Sequence, residues 1–280
     1  MAKRKRHNAP KKDNRERSFQ VNPRNQPEVI NYHMTSPDGK NWTKQPGNIM
    51  AMISGFRPGD LGEEITSIID PISNLSQEKH NQHLSEKLID CRHKLHAVRY
   101  HLHTLKIEIA ERVKEFDKSY TAGSGIAQEL ENPRLVYETE AFLFQVKSSL
   151  DLLAQTLGCV VPPLGSVHTF SGKMIGGVEY AGGKVINALL SNGFDELGNI
   201  FESHRKTWIQ ELVEMRDTIT HYSQLRHFHS FVEEPYMGGG QVTIHYPTMP
   251  SGIRVDTYCQ TVYDALLDLY RSALTYIKLE

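Results

Sequence analysis

The stretch that decides the fold spans residues 84–116 and reads LSEKLIDCRHKLHAVRYHLHTLKIEIAERVKEF. Its apolar side chains recur every three or four residues, with charged residues and histidines between them. This spacing is typical of one face of an α-helix and predicts a helix over residues 76–119, roughly 60 Å long. Such a helix needs a partner along its apolar stripe, from within the chain or from a second copy. The stripe comprises Leu84, Leu88, Cys91, Leu95, Val98, Leu102, Leu105, Ile109, Val113 and Phe116.

Further helices are predicted on both sides of this stretch. Upstream, a short helix at Glu63–Asp70 is expected to stop at Pro71, because proline lacks the N–H group that continues a helix. Downstream, helical periodicity ending in stop signals such as Gly158 predicts more helices. These cover residues 135–157, 201–223 and 256–278.

The rest of the domain, residues 46–280, is predicted to consist of loops and a small sheet. Glycines and prolines mark residues 158–199 as a loop-rich insertion, with a short helix at 184–191. Phe228–Val232 and Val242–Tyr246 flank a glycine-rich turn and predict a β-hairpin. The predicted fold class is therefore mainly all-α, a helical bundle with a glycine-rich insertion and a small β-hairpin.

The composition is that of an ordinary globular protein, with 280 residues, 39% hydrophobic residues and a formal net charge of −1. No apolar run reaches the roughly eighteen residues of a membrane-spanning helix, so no contact with a membrane is expected. No apolar segment follows the basic N-terminus, as it would in a secretory signal. The three cysteines are widely separated, which favours a reducing compartment over a disulfide framework. A cytoplasmic location is expected.

Residues 1–45 are predicted to form a basic, disordered arm, because they are polar and contain only isolated apolar residues. Residues 1–26 hold nine Lys or Arg against two acidic residues, a net charge of +7, which leaves −8 for the rest of the chain. Such an arm can neutralise the phosphates of a nucleic acid. The alternative is a solubilising or partly artificial terminus. The cations expected on an RNA backbone are Lys3, Arg4, Lys5, Arg6, Lys11 and Lys12.

The glycine-rich insertion does not contain a phosphate-binding loop. Before Lys184, the GxxxxGK[ST] pattern requires glycine at 178 and Ser or Thr at 185, but the chain has Val178 and Val185. Before Lys173, it requires glycine at 167, where Val167 stands. No serine lies in a GxSxG nucleophile elbow either. The insertion is therefore interpreted as a structural or substrate-facing loop.

The fourteen histidines do not form a recognisable metal-binding pattern. The pairs His80/His83 and His93/His96 lie three residues apart on the long predicted helix. Zinc sites need three or four converging ligands, and neither an HExxH pattern nor paired CxxC motifs accompany these pairs. A solvated or RNA-facing helix surface is the preferred interpretation, and neither a metal nor another cofactor is predicted.

Residues 211–222, which read ELVEMRDTITHY, carry a pattern suited to catalysis. Asp217 and His221 lie one turn apart on one face of the predicted helix, nearly opposite its apolar stripe. His221 is therefore expected to face solvent, the glycine-rich insertion or another subunit. Arg216 lies on the flank of the stripe, roughly 140° around the helix from His221. The stripe consists of Trp208, Leu212, Met215, Ile219 and Tyr222.

Arg216, Asp217 and His221 resemble the signature of the HEPN superfamily, in which a small polar residue directly follows an Arg and four to six residues separate that Arg from a His. The family fold, a bundle of four or five helices whose third principal helix bears the motif, is similar to the predicted arrangement. Residues 140–153, EAFLFQVKSSLDLL, resemble the preceding family helix. The resemblance covers roughly residues 76–280. The insertion and the hairpin depart from the minimal pattern and leave the subfamily open.

The resemblance implies a metal-independent endoribonuclease, because RNA carries its own nucleophile, the 2′-hydroxyl. His221 would act as general base or acid. Arg216 would clamp the phosphate with its planar fork, and Asp217 would orient His221 or support its charged form. The products would be a 2′,3′-cyclic phosphate and a 5′-hydroxyl. Supporting roles would fall to Glu140, Lys147, Asp151 and Tyr222.

A homodimer is expected, because one helix cannot easily aim Arg216 and His221 at the same phosphate, whereas two helices across a twofold axis can. Family members are similar, with sites in a cleft between two protomers. The resemblance implies RNA as substrate, a toxin or anti-phage role, and a neutralising or regulatory protein as a further partner; RNA maturation is an alternative setting. The alternative function is a non-catalytic HEPN-like module that binds RNA or a protein, with the 84–116 stripe as its interface.

Overall fold

The computed structural model describes side chains for residues 62–112, 133–170, 172, 180–219 and 246–277. It describes the backbone alone for residues 32–35, 43–46, 113–119, 129–131, 173–175, 178–179, 220–221, 229–233 and 243–245. The chain divides into two units, Met1–Ile49 and Met50–Glu280, and each is described by itself.

The first helix, α1 (Glu63–Glu78), is longer than the sequence suggests. The prediction that it stops at Pro71 is wrong, since Pro71 lies inside the helix. Pro71 cannot donate to the carbonyl of Ser67, but both residues are exposed, so water can hydrate that carbonyl. A proline on the solvent side of a helix is therefore tolerated here.

The long helix, α2 (Gln82–Ser119), begins at Gln82 rather than at residue 76. His80 adopts a left-handed conformation with φ of 56°, which ends the first helix and turns the chain. Asn81 then caps α2, because its Oδ1 accepts the backbone N–H of Leu84 at 3.1 Å. Residues 76–78, which were predicted to begin the long helix, therefore belong to α1.

The third helix, α3 (Pro133–Gly158), packs along α2 and covers its apolar stripe. From Leu84 to Ile109, each stripe residue is buried, with at most 7% of its surface exposed. The partner that this part of the long helix requires therefore lies within the chain. Val113 and Phe116 lie outside the described side chains.

The second half of the chain completes the bundle. A 3-10 turn, Pro162–Leu164, follows α3. The remaining helices are α4 (Gly183–Leu190), α5 (Asp195–His204), a π-helical segment at Arg205–Ile209, α6 (Gln210–His221) and α7 (Val255–Leu274). The last helix, α7, packs against α1, α2, α3 and α5, and it ends before the predicted residue 278.

The strands are short and antiparallel. In the first unit they are β1 (Tyr32–Thr35) and β2 (Thr43–Pro46), which pair with each other near the end of the segment predicted to be disordered. In the second unit they are β3 (Glu129–Glu131), β4 (Lys173–Ile175), β5 (Val178–Tyr180), β6 (His229–Glu233) and β7 (Thr243–His245). β4 pairs with β5, and β6 lies between β3 and β7. β6 and β7 overlap the two segments for which the hairpin is predicted.

The core of the second unit is formed by helices, and the mainly all-α class is confirmed for the residues that the structure describes. Tyr270 of α7 is fully buried and joins the core to α3, because its hydroxyl donates to the Ser149 carbonyl at 2.7 Å. None of the helices in the described ranges is long and apolar enough to cross a bilayer.

Candidate active site

The segment with the predicted catalytic residues belongs to one helical run from Asp195 to His221, which passes through the π-helical segment. Such segments are rare and frequently occur at functional sites. One side of the run packs on the bundle, as its apolar stripe predicts, and α6 lies against α3. The residues of the described stripe are Trp208 and Leu212, which are buried, and Met215 and Ile219, which pack against the core.

Arg216 lies between an aromatic ring of α3 and the neighbouring carboxylate. Its guanidinium carbon is 5.9 Å from the ring centroid of Phe144. Its Nη1 atom is 2.6 Å from Oδ1 of Asp217. The side chain of Arg216 is 23% exposed and that of Asp217 is 34% exposed. The guanidinium is therefore held in place by its neighbours, on a side chain that is partly exposed.

Asp217 contacts Arg216, whereas the sequence assigns it to His221. The backbone of His221 forms the end of α6, about 7.5 Å along the helix axis from Arg216 at about 1.5 Å per residue. The side chain of His221 and the whole of Tyr222 lie outside the described residues. The pairing of Asp217 with His221 therefore stays a prediction, and the observed contact assigns Asp217 a second role, that of holding Arg216.

The face of α6 that carries Asp217 begins at Gln210, where it meets the glycine-rich insertion. The Oε1 atom of Gln210 accepts the backbone N–H of Ala181 at 3.0 Å. The amide nitrogen of the same side chain donates to Glu214 at 2.7 Å. At this end of the helix, the insertion thus contacts the face that was expected to point to solvent, to the insertion or to another subunit, while Glu214 on the same face is exposed.

Glu140, predicted as a supporting residue, lies half-buried on α3, one turn before Phe144. Burial raises the pKa of its carboxyl. A carboxyl with a raised pKa exchanges a proton more readily near neutral pH than an ordinary glutamate does.

Lys147 and Asp151, also predicted to support the site, form an ion pair with each other at 2.7 Å. Lys147 is buried, and Asp151 also accepts the backbone N–H of Phe170 at 2.5 Å. Phe170 is fully buried and packs against Phe201 of α5, with the two rings tilted and their centroids 5.7 Å apart. The pair therefore fixes the course of the insertion on the bundle.

The sequence did not point to Arg205, the first residue of the π-helical segment, although it is buried. Its Nε and Nη2 atoms each donate to a carboxylate oxygen of Glu202 at 2.7 Å. Its guanidinium lies 4.7 Å from the ring centroid of Tyr180, and Nη1 donates to Gln210 at 3.4 Å. Arg205 therefore joins the end of β5 to the start of the motif helix. In the sequence, the spacing of three residues between Glu202 and Arg205 could have indicated this ion pair, because residues three apart are neighbours on a helix.

His204, in the same run, is a second residue that the sequence did not point to. The indole N–H of Trp208 donates to its Nδ1 atom at 3.0 Å, so the neutral ring carries its proton on Nε2. That atom lies 3.6 Å from a carboxylate oxygen of Asp268 on α7. Burial lowers the pKa of His204, and Asp268 partly offsets this effect.

Two histidines of α2, His101 and His96, lie close to charged side chains. The Nδ1 atom of His101 lies 2.7 Å from a carboxylate oxygen of Glu138 on α3. Burial lowers the pKa of His96, and the nearby Arg92 and Arg99 lower it further. In the part of the chain that the structure describes, no three His, Cys, Asp or Glu residues are grouped as a metal site requires.

The basic residues assigned to an RNA backbone, Lys3, Arg4, Lys5, Arg6, Lys11 and Lys12, lie outside the described residues. Their role therefore stays a prediction. Comparison of the chain with protein-family models, with curated proteins and with solved structures found no match. The functional interpretation therefore depends on the residues themselves.

Proposed function

We propose that this protein is a metal-independent endoribonuclease of HEPN type that acts as a homodimer in toxin or anti-phage defence. In this proposal α2, α3, α6 and α7 are the principal helices of a HEPN-like bundle, and α6 is the third. The observation that carries the proposal is the position of Arg216. It lies partly exposed between Phe144 and Asp217, on a helix that ends at His221.

The proposed reaction needs only groups that the RNA and this chain supply. A base removes the proton of the 2′-hydroxyl, and the oxygen attacks the adjacent phosphorus. The bond from phosphorus to the 5′-oxygen breaks, and an acid protonates the leaving oxygen. His221 serves as one of these proton carriers. Arg216 stabilises the charge that builds up on the phosphate oxygens.

A non-catalytic RNA- or protein-binding module is the second candidate. The contact of 2.6 Å between Arg216 and Asp217 favours it, because a phosphate must compete with a carboxylate that already holds the guanidinium. In a catalytic site the same contact positions the arginine before RNA arrives. Cleavage assays distinguish the two functions.

The test is cleavage of a labelled RNA by purified protein in the presence of EDTA. Wild-type protein should cleave. His221→Ala should lower the rate about 10²- to 10⁴-fold, the usual contribution of a general acid or base. Arg216→Ala should lower it about 10²- to 10³-fold, as loss of a charge-stabilising donor does. Asp217→Ala should have a smaller effect, since it acts through its neighbours.

Thr218→Ala serves as the matched control, because Thr218 is an exposed residue of the same helix. Its hydroxyl only donates to the carbonyl of Glu214. This variant should cleave at the wild-type rate. Cleavage that depends strictly on magnesium or zinc would contradict the proposed mechanism. A steep fall in the unfolding temperature of His221→Ala would show that His221 has a structural role instead.

A further inference from the structure

One side of α3 exposes two aromatic side chains, one of which lies close to Arg216. Tyr137 is 66% exposed and Phe144 is 39% exposed. They are separated by seven residues, which is close to two helical turns, so both lie on one side of the helix. The half-buried Ala141 lies between them on that side. We call these three residues the aromatic face of α3.

The aromatic face of α3 differs from an ordinary exposed apolar surface because Arg216 lies beside it. Isolated exposed apolar residues are ordinary on protein surfaces. Two exposed aromatic side chains on one side of a helix, one of them beside a cation, are a different feature, since sites for single-stranded nucleic acids combine rings on which bases stack with cations that bind the backbone. The guanidinium of Arg216 lies 5.9 Å from the Phe144 centroid, which places both elements within the reach of one nucleotide.

We propose that Phe144 and Tyr137 are stacking platforms for unpaired bases of an RNA strand whose phosphate is bound by Arg216. The inference rests on the proposed ribonuclease function and names its substrate class, RNA that is single-stranded at the cleavage site. Bases inside a duplex are stacked on one another and cannot lie flat on a protein ring.

The size of the aromatic face favours a base over a folded partner. A fully buried aromatic side chain covers about 150–250 Å². At their observed exposures the two rings together present on the order of 200 Å². Each side of a stable protein complex contributes about 800 Å². The face is therefore too small to hold a protein by itself, whereas a base is matched in size by one ring.

The spacing of the rings defines how the strand lies. Tyr137 and Phe144 are about 10.5 Å apart along the helix axis at about 1.5 Å per residue. Successive stacked nucleotides advance by about 3.4 Å. The two rings therefore cannot sandwich one base or hold adjacent stacked bases. Each ring takes a separate base, and the strand between them is extended, with Phe144 beside the bound phosphate.

Binding of an RNA that cannot be cleaved tests this inference separately from catalysis. The probe is a fluorescein-labelled 2′-O-methyl oligouridine, which lacks the nucleophile, and the readout is fluorescence anisotropy. Phe144→Leu should weaken binding about five- to hundredfold, the usual effect of losing one base–aromatic contact. Tyr137→Leu should act in the same direction, and Phe144→Trp should retain affinity. Ile107→Ala is the control, since Ile107 of α2 is 40% exposed.

The same strand with abasic sugars separates stacking from a structural effect. Wild-type protein should bind the abasic strand weakly, and Phe144→Leu should cause no further loss. An equal loss on both strands, or wild-type affinity of both leucine variants for the oligouridine, would overturn the stacking assignment. Tyr137 is exposed enough that its replacement leaves the fold intact.

The outcomes for the two proposals can be told apart. If unmodified RNA is cleaved but replacement of either ring leaves oligouridine binding unchanged, the stacking assignment fails and the ribonuclease function stands. If binding depends on Phe144 but unmodified RNA stays intact, the ribonuclease function fails and stacking in an RNA-binding module stands.

Discussion

Arg216 is an arginine whose orientation is set before any ligand binds. The ring of Phe144 lies beside its guanidinium, and Asp217 binds one of its terminal nitrogens. A guanidinium presents five N–H donors in a fixed fork, so a contact with one carboxylate helps to set the directions of all of them. An ordered arginine loses less side-chain entropy when a phosphate binds, which favours its use as a clamp.

His204 shows how a single hydrogen bond determines a protonation state. Trp208 can only donate, so Nδ1 of His204 must accept and cannot carry a proton while this bond exists. Protonation of His204 requires that the bond be broken. Burial and this bond thus act in the same direction, and both favour the neutral ring.

We therefore predict that His204 makes the protein less stable in acid. Its native pKa lies below the usual value of 6.5, so the unfolded chain binds more protons between these two values. The free energy of unfolding should fall as the pH drops below about 6.5 and level off below the native pKa. His204→Gln, whose amide oxygen can still accept from Trp208, should reduce this dependence in urea titrations followed by circular dichroism.

His83→Gln provides the control for this experiment, because His83 is exposed on the first turn of α2. It should leave the pH dependence unchanged. His96 and His103, whose pKa values are also lowered by burial, should preserve part of the dependence in the His204 variant. A stability profile identical to that of the wild type would contradict the assignment to His204.

Among the elements, the π-helical segment is the one that joins the insertion to the motif helix. It places Arg205 so that the guanidinium contacts Glu202, Tyr180 and Gln210. The backbone N–H of Ala181 shares the same acceptor on Gln210. The start of α6, and with it the position of Arg216, is therefore coupled to the glycine-rich insertion.

We predict that Glu202→Gln destabilises the protein by about 1–3 kcal/mol, the usual cost of leaving a buried charged donor incompletely paired. Arg205 is buried and donates two hydrogen bonds to Glu202, so the loss of the charge cannot be made up by solvent. The measurement is the midpoint of urea unfolding. Lys206→Gln is the matched control, because Lys206 contacts the same carboxylate but is 65% exposed. It should cost less than about 1 kcal/mol. Equal destabilisation by Glu202→Gln and Lys206→Gln would contradict a stabilising role for the pairing of Glu202 with Arg205.

The main helices could be predicted from the sequence because their burial is periodic. From Leu84 to Ile109 the apolar spacing corresponds to a face that α3 covers. The prediction that the first helix stops at Pro71 was wrong because it considered only the missing N–H group of proline. The cost of losing that hydrogen bond depends on whether water can hydrate the carbonyl that is left without a donor. The sequence also does not show that His80 turns the chain, since a positive φ at a histidine is uncommon.

The candidate site could be predicted only in part. The positions of Arg216 and Asp217 on the motif helix could be predicted because they follow from a helical wheel, which requires only local geometry. Arg205 was missed because its burial depends on Tyr180 and Gln210, which the fold brings together from different elements. Lys147 and Asp151 were assigned to the site, but Asp151 also accepts the backbone N–H of Phe170, a contact that depends on the path of the insertion.

For the molecule as a whole, the geometry of α6 bears on how many copies of the chain form one site. Arg216 and His221 lie roughly 140° apart around one helix at about 100° per residue. Two copies of α6 related by a twofold axis can bring the Arg of one protomer to the His of the other. The stripe residues from Leu84 to Ile109 are buried within the chain, so this part of the stripe is not available as a dimer interface.

We predict that the active species is a dimer with a mass near twice 31.9 kDa in light scattering. Arg216→Ala and His221→Ala should each be inactive, yet a mixture should recover activity. Half of randomly assorted dimers are mixed and each holds one intact composite site, so about a quarter of wild-type activity should return. A fully active monomer would contradict the shared site. A dimer without recovery would contradict the division of labour between one Arg and one His.

In the proposed function, RNA is cut by its own 2′-hydroxyl at a site built from Arg216 and His221. The decisive measurement is mass spectrometry of the fragments formed in EDTA, with a second RNA that carries a 2′-deoxy sugar at the cleaved nucleotide. We expect a 2′,3′-cyclic phosphate on one fragment and a 5′-hydroxyl on the other, and no cleavage at the deoxy position. Fragments that end in a 3′-hydroxyl and a 5′-phosphate, formed equally well from the deoxy RNA, would contradict it.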